Sequence, residues 1–340
     1  NRKTMKTLIS VVIAMASFTI SASAQSNIEI GMSGGATNYF GDLGNNEVLQ
    51  STSTRPGGAI TVRNFLNSPA KTGYQYQPLS VEARFSWHRI GYDETKSIGD
   101  KKGYQLRNYG RGLSFRTDVY GLSTHVSYTL YANKRKPLYA QGAAMYFYAG
   151  VGIYYARPKA DLFNGSIDIN NRYYFWSDGT IRDQDEKSGQ GNVIKRDGEF
   201  ETNLDEWRTE GQGYNSELGQ KKPYNLMHIG FPLGMGWRWG VTKNIIVSAE
   251  LSYIKFITDY LDDVSDRYAT YEEIKANFPE EYKQDLAKYI SDPSGKGTNG
   301  FEGAATSQRG NTRKTDGYAF LSLEVAYRLD FNWGKIKSSF

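Results

Sequence analysis

Hydrophobic and polar residues alternate with a period of two along several long segments of the chain. Residues 317–331 show the pattern most clearly, because one face is apolar throughout and the other, after Tyr318 and Phe320, carries charged and small residues. Such alternation predicts β-strands with one apolar face. Seven further segments complete a set of eight predicted strands: residues 28–39, 57–66, 78–91, 118–131, 145–156, 226–239 and 245–260.

Two of these segments are irregular. Residues 145–156 are apolar on both sides, so their faces cannot be assigned from the pattern. In residues 245–260 the alternation is lost after Ile254, which indicates a bulge. Both segments still have the length that a tilted strand needs to cross a bilayer.

The connections between the predicted strands alternate in length. In chain order they contain about 17, 11, 26, 13, 69, 5 and 56 residues, as expected for short periplasmic turns and long outer loops. We therefore predict an all-β fold, an eight-stranded antiparallel up-and-down transmembrane β-barrel in the outer membrane, with both termini periplasmic. A short helical insert is predicted in the last long loop, where Pro279 precedes apolar residues at helical spacing: Tyr282, Leu286, Tyr289 and Ile290.

The strand phases predict a charged lumen. Eight residues point inward: Glu29, Arg63, Glu82, Arg84, Arg238, Glu250, Glu324 and Arg328. A one-residue slip would turn all of them towards lipid, where each Arg at the midplane costs about 2–4 kcal/mol. Equal numbers of carboxylates and guanidiniums predict a paired ion network that fills a narrow lumen. Small-solute porin activity therefore ranks last among the functions considered.

The N-terminus and the composition define the compartment. Met5-Lys6, an apolar run over residues 8–20 and Ala22-Ser23-Ala24 predict a secretory signal. We expect residues 1–24 to be upstream sequence and cleaved signal peptide, and residues 25–340 to form a single barrel domain. A mean hydropathy of −0.59 excludes a helical membrane protein, and the absence of Cys excludes disulfides and thiol chemistry. Export and scattered basic residues argue against a nucleic-acid partner.

Candidate chemistry is sparse. His125 lies between Ser123 and Ser127 on the inward face, which leaves a lipid-modifying enzyme as one alternative. Hydrogen-bonded packing is favoured, and we predict no catalytic residue and no cofactor. Four carboxylates of the acidic run 258–266 are candidates for Ca²⁺ ligands, although their spacing matches no EF-hand: Asp259, Asp262, Asp263 and Asp266. The loop at 157–223 is rich in Tyr and Trp, which leaves a surface adhesin as a further alternative.

Four separate motifs resemble one known family. They are Tyr39-Phe40-Gly41-Asp42-Leu43, Pro232-Leu233-Gly234-Met235-Gly236, Thr258-Asp259-Tyr260-Leu261-Asp262-Asp263-Val264-Ser265, and Arg309-Gly310-Asn311 with the final Ala326-Tyr327-Arg328-Leu329. Together they resemble the PorG-type outer-membrane barrels of the type IX secretion system of Bacteroidetes. The loop at 157–223 is long and departs from that pattern.

The resemblance implies a non-enzymatic barrel without a cofactor. It implies association with a periplasmic ring built from the PorK lipoprotein and PorN, beside contact with outer-membrane lipid and lipopolysaccharide. By topology, the short turns would face that ring. Among them the basic run Lys134, Arg135 and Lys136 is the candidate partner contact.

Overall fold

The computed structural model describes residues 27–43, 53–66, 78–94, 110–133, 135–216, 219–298 and 307–330. The predicted signal peptide and Lys134 lie outside these residues. Eight long strands are present: β1 Asn27–Phe40, β2 Arg55–Phe65, β3 Leu79–Asp93, β4 Ser114–Leu130, β5 Ala143–Ala160, β6 Met227–Gly240, β7 Ile245–Phe256 and β8 Gly317–Asp330.

The eight strands close into a barrel. Each pairs antiparallel with its neighbours in sequence, β5 pairs with β6, and β1 pairs with β8 from Asn27–Asp330 to Phe40–Gly317. Closure satisfies the backbone hydrogen bonds that an open sheet would leave at its edges. The predicted eight-stranded antiparallel barrel is confirmed.

Two details of the predicted strands are wrong. The strand predicted over residues 245–260 ends at Phe256, and its register with β8 runs without a bulge from Ile245–Tyr327 to Lys255–Gly317. The alternation fades because the inward side chains Ile254 and Phe256 join an apolar core at one mouth of the barrel. The inner face of the strand changes from polar to apolar there, although its geometry does not change.

The two ends of the barrel differ, as the loop lengths predicted. The short-turn end carries the connections β2–β3, β4–β5 and β6–β7, and the long-loop end carries the connections β1–β2, β3–β4, β5–β6 and β7–β8. Asn27 and Asp330 are paired at the short-turn end.

The outer surface of the barrel is apolar between these ends. Cross-strand neighbours of β3, β4 and β5 line up in rows, such as Phe85–Leu122–Ile153 and Val81–Val126–Ala149. Many large apolar side chains on this surface are exposed, and Met32, Leu321 and Leu323 are exposed by more than 60%. A continuous exposed apolar band around a closed barrel is the surface that faces lipid. Among the described residues, no helix is long and apolar enough to span a membrane.

The long loops fold over the barrel mouth. The predicted helical insert is confirmed as two helices, α1 Tyr271–Asn277 and α2 Glu281–Ser291, and Thr270 and Glu273 form a capping box on α1. The side chains of α2 that face the barrel, Leu286, Tyr289 and Ile290, belong to the apolar core at the mouth. A two-residue strand, Thr202–Asn203, pairs with the end of β5 and extends the wall.

Candidate functional site: lumen and mouth

The centre of the lumen is a buried ion network. Arg63 forms ion pairs with Glu29 at 3.1 Å, Glu82 at 2.7 Å and Glu324 at 3.3 Å. None of these side chains is exposed by more than 5%. The Arg63 guanidinium has five N–H donors in a planar fork, so it can bind three carboxylates that approach from different directions. A Lys ammonium has three donors on one nitrogen and could not reproduce this arrangement.

The network extends across the barrel. Arg84 of β3 donates two hydrogen bonds to Glu250 of β7, at 2.7 and 3.0 Å, and lies 3.6 Å from Glu82. At the short-turn side, Arg238 and Arg328 both pair with Glu29. The structure thus places all eight residues of the predicted network in one connected set. Each buried charge has a counter-charge, as burial in a medium of low dielectric requires.

Two tyrosines of β5 complete the lumen, and the sequence pattern missed both. The hydroxyls of Tyr146 and Tyr148 lie 2.8 and 2.9 Å from the Glu250 carboxylate. Their rings occupy space left by Gly234 and Gly236 of β6, where a Cβ would approach ring atoms to 2.7–2.8 Å. The spacing of Tyr146 and Tyr148 by two residues is the signal that could have assigned the inner face of β5.

The turn between β4 and β5 closes the barrel at the short-turn end. Leu138 is buried there against Ala144, Ile246 and Ala326. The backbone of Tyr139 passes so close to Gly240 that a Cβ at this glycine would lie 2.5 Å from the Tyr139 nitrogen. The side chains of Arg135 and Lys136 are exposed on this turn, and Lys134 of the same basic run lies outside the described residues.

The structure brings His125 and Ser123 together, but inside the packed lumen. The His125 Nε2 atom lies 2.9 Å from the Ser123 Oγ atom, and Nδ1 lies 3.9 Å from Glu82. The His125 ring stacks on Tyr148 with centroids 4.8 Å apart.

The exposed fractions of Ser123 and His125 are 2% and 1%. The Ser127 hydroxyl is also buried and has no hydrogen-bond partner in the described part of the chain. A nucleophile and base are geometrically possible at Ser123 and His125, yet substrate would have to enter a filled lumen to reach them.

At the long-loop end, three of the four segments that carry the family resemblance contact one another. The Tyr39 hydroxyl donates to Asp262 and lies 3.3 Å from Asp316. The Asp42 carboxylate accepts the backbone N–H of Asn311 at 2.5 Å. Leu261 and Val264, within the acidic run, are completely buried in the core at the mouth. We call this set of contacts the mouth network.

Two buried arginines belong to the mouth network as well, Arg309 in the same connection as the acidic run and Arg111 in the β3–β4 connection. Arg309 donates to the backbone carbonyl and the carboxylate of Asp263, and lies 3.6 Å from Glu210. Arg111 pairs with Glu94 and donates to the carbonyl of Arg309 at 2.7 Å. The periodicity of the strands carried no signal for these contacts, because all of these residues lie in loops.

The four candidate metal ligands occupy different surroundings. Asp262 receives the Tyr39 hydroxyl, Asp263 pairs with Arg309 at 3.2 Å, and Asp266 pairs with Lys221 at 2.9 Å. Within the described ranges, no group of three or more His, Asp or Glu side chains is arranged to hold a metal ion. These three carboxyls are therefore paired with a donor or a cation, whereas both carboxyl oxygens of Asp259 are buried without a hydrogen-bond partner among the described residues.

Burial sets the protonation of the acidic residues at the mouth. It raises the pKa of Asp259 and of Asp262 to about 8, and nearby carboxylates such as Asp42 act in the same direction. The pKa of Asp316 is raised well above its usual range by burial and by Asp262 and Asp259. The pKa of Asp263 is raised less, to about 6, because Arg309 opposes the effect of burial. Protonated carboxyls can therefore pack together at the mouth near neutral pH.

The closed ring of eight strands, the apolar outer band and the filled lumen define a β-barrel of the outer-membrane class. No family model matches the chain, and no curated protein matches its sequence. Among solved structures, the chain is similar to the attachment invasion locus protein Ail of Yersinia pestis, with 10% identity, 90% of this chain and 98% of that chain covered, and a TM-score of 0.31.

Two further solved structures are similar to the chain. Neisserial surface protein A has 8% identity over 90% of this chain and 98% of that chain, with a TM-score of 0.32. A major outer membrane protein from Thermus thermophilus has 12% identity over 89% of this chain and 99% of that chain, with a TM-score of 0.35. The fold assigned above rests on the strand pairing itself.

Proposed function

We propose that this chain is a non-enzymatic outer-membrane component of the type IX protein secretion machinery, a barrel that docks or anchors a periplasmic ring of the PorK and PorN type. The observation that carries the proposal is the mouth network. It joins three of the motifs that resemble PorG-type barrels through Tyr39–Asp262, Asp42–Asn311 and Arg309–Asp263. Tyr39 and Asp262 are 223 positions apart in the sequence, and Asp42 and Asn311 are 269 positions apart. The motifs therefore form one structural unit.

The filled lumen supports an anchoring role over transport through the barrel. Arg84 and Glu250 span it from opposite walls, and Arg63 of β2 pairs with residues of three other strands. Opening a path for solutes would separate buried charges, which costs several kcal/mol per ion. A barrel that does not conduct can still hold a partner at its surface.

The proposed orientation places the short-turn end in the periplasm and the long loops outside, as in barrels of this class. The described chain ends would then also be periplasmic. Arg135 and Lys136 are exposed on a turn that Leu138 anchors to the barrel wall. A basic surface on an anchored turn suits an acidic partner, because little conformational entropy is lost on binding.

The test is co-purification of the tagged full chain from gently solubilised membranes, followed by mass spectrometry. We expect the wild-type chain to bring a periplasmic lipoprotein ring with it. Charge reversal of the basic run by K134E, R135E and K136E should remove that ring. The matched control reverses three exposed lysines at the opposite end, in K187E, K222E and K275E, and should keep it.

Two results would count against the proposal. A wild-type chain that purifies as a monomer with only lipopolysaccharide would remove the secretion role. Retention of the ring by both triple variants would leave the docking role intact but would remove the basic turn as its contact.

A further inference from the structure

A basic cavity lies at the long-loop end of the barrel. It has a volume of about 600 Å³ and lies between the outer ends of β2, β3 and β4 and residues 194–200. Five basic side chains line it: Arg55, Arg89, Arg116, Lys195 and Arg196. The carboxylates that line it are Asp93 and Asp161, so positive charge is in excess.

The rows of the outer surface place this cavity just beyond the lipid. Trp87, Tyr120 and Tyr155 are cross-strand neighbours and form an aromatic row above the apolar band. The next rows towards the long loops are Arg89–Asp118–Arg157 and Gly91–Arg116–Lys159. Two residues along a strand tilted by about 40° advance about 5 Å along the membrane normal. The basic rows therefore lie at the depth of lipid headgroups, because interfacial aromatics mark the edge of the hydrocarbon.

One guanidinium in the cavity is incompletely paired. Arg196 donates to the Ser114 hydroxyl at 2.6 Å and to the backbone carbonyl of Asp161. Its Nε and Nη2 atoms are buried and have no hydrogen-bond partner among the described residues. Buried N–H groups without partners are costly, and a small turn of the Arg196 guanidinium towards an oxyanion in the cavity would give them charge-assisted hydrogen bonds.

The neighbouring side chains are held in place. Arg116 stacks on the Phe200 ring with its guanidinium carbon 4.0 Å from the centroid. Arg89 is fixed by Asp118 at 2.8 and 3.2 Å, and the Trp87 indole donates to the same carboxylate at 3.1 Å. This arrangement joins the cationic wall of the cavity to the aromatic row that faces lipid.

We infer that the cavity binds the phosphate group of an outer-leaflet lipid headgroup, with Arg116 and Arg196 as its main ligands and Lys195 and Arg55 adding positive charge. The acyl chains would continue along the apolar row of Phe85 and Leu122. A lipid is favoured over a soluble anion because only a lipid uses both the cationic cavity and the apolar surface below it. This inference rests on the proposed orientation, with the long loops outside, and is independent of the proposed secretion role.

The two carboxylates do not prevent anion binding. Asp161 accepts the backbone N–H of Gly198 at 2.9 Å and thereby holds the loop that covers the cavity. Burial raises the pKa of Asp161 to about 6, although Arg196 opposes this effect. Asp93 lies on the same outer face as Arg89 at the end of β3. The five cations still outnumber both acids.

The test measures binding of diphosphorylated lipid A to the detergent-purified full chain by native mass spectrometry. Replacement of the main ligands in R116Q/R196Q should weaken binding at least about tenfold, since two charge-assisted contacts are lost. The matched control R157Q/K159Q removes two charges from the same rim but outside the cavity, where Arg157 already pairs with Asp205. This control should change the affinity less than about twofold. Retention of heat-modifiable gel mobility shows that each variant is folded.

Two further ligands distinguish the source of the phosphate. Lipid A without its phosphates should bind the wild-type chain as weakly as diphosphorylated lipid A binds R116Q/R196Q. Inorganic phosphate should compete only at concentrations far above that of the lipid. Equal binding of both lipids, or equal weakening by the two double variants, would overturn the site. Inorganic phosphate that binds as tightly as the lipid would overturn the assignment to a lipid headgroup.

Discussion

Arg84 and Glu250 face each other across the barrel lumen, from β3 and β7 on opposite walls, and are joined by hydrogen bonds of 2.7 and 3.0 Å. Three strands lie between β3 and β7 in either direction around the ring. The pair therefore ties together parts of the wall that the backbone ladder does not connect directly. Tyr146 and Tyr148 support the same carboxylate, so the lumen is held at its middle by one polar cluster.

Removal of one member of this pair should destabilise the barrel strongly. We expect E250A to lower the free energy of unfolding by about 3–5 kcal/mol, because it leaves Arg84 buried without its main partner. The double variant R84M/E250M should lose less than E250A, since it leaves no buried charge from this pair unmatched. Urea unfolding in detergent or lipid vesicles measures both differences.

The surface pair Arg89–Asp118 is the control for this comparison. Its side chains are 31% and 28% exposed, so R89Q should cost no more than about 1 kcal/mol. A loss of similar size in R89Q and E250A would show that the lumen pair has no special role.

In planar bilayers the wild-type chain should give no sizeable single-channel conductance, and a large conductance would contradict a filled lumen.

Replacement of His125 separates packing from catalysis. We expect H125A to leave the lipid A of cells expressing the chain chemically unchanged, because Ser123 and His125 are buried in the lumen. The variant should lose about 1–3 kcal/mol of stability, through the lost hydrogen bond to Ser123 and the lost stacking on Tyr148. Mass spectrometry of extracted lipid A provides the measurement. A lipid modification that depends on both His125 and Ser123 would establish the enzyme alternative instead.

The carboxyls at the mouth should make stability depend on pH. Burial raises the pKa of Asp259 and Asp262 to about 8, whereas these groups titrate near 4 in an unfolded chain. Between these values the folded state binds more protons than the unfolded state, so stability falls as the pH rises from about 4 to about 8. The urea midpoint should therefore be higher at pH 5 than at pH 8. D262N, which mimics the neutral carboxyl, should reduce this difference.

An exposed aspartate serves as the control for the pH dependence. Hydrogen bonds from Thr180 hold the pKa of Asp178 below its usual range, so D178N should leave the profile between pH 5 and pH 8 unchanged. A midpoint that stays constant or increases over this range in the wild-type chain would contradict the proposed protonation of the mouth.

Calcium should not stabilise the acidic run. Asp263 and Asp266 already pair with Arg309 and Lys221, and a cation would have to displace these partners. We expect the unfolding midpoint to be the same with EDTA and with about 1 mM Ca²⁺, a concentration that fills extracellular calcium sites. An increase in the midpoint with Ca²⁺ that D262N and D263N abolish would restore the metal hypothesis.

Much of the wall could be predicted from the alternation alone. The period of two identifies which residues share a face, and the cost of charge in lipid decides which face turns inward. This rule predicts that Glu82 and Arg84 point into the lumen. The rule does not extend to β5, where both faces are apolar or aromatic, or to the end of β7, where Ile254 and Phe256 meet the loop core.

The strand number, the alternation of long and short loops and the inward set of charges follow from the amino-acid sequence, because these depend on local periodicity and on the cost of transfer into lipid. The folded barrel is needed to show that Arg84 meets Glu250, 166 residues away, and that Arg309 meets Asp263 at the mouth. The fold also shows that Arg116 and Arg196 line one cavity. Such partnerships depend on how the ring closes and how the loops fold over it, and barrel closure brings together residues whose separation in the chain carries no periodic signal.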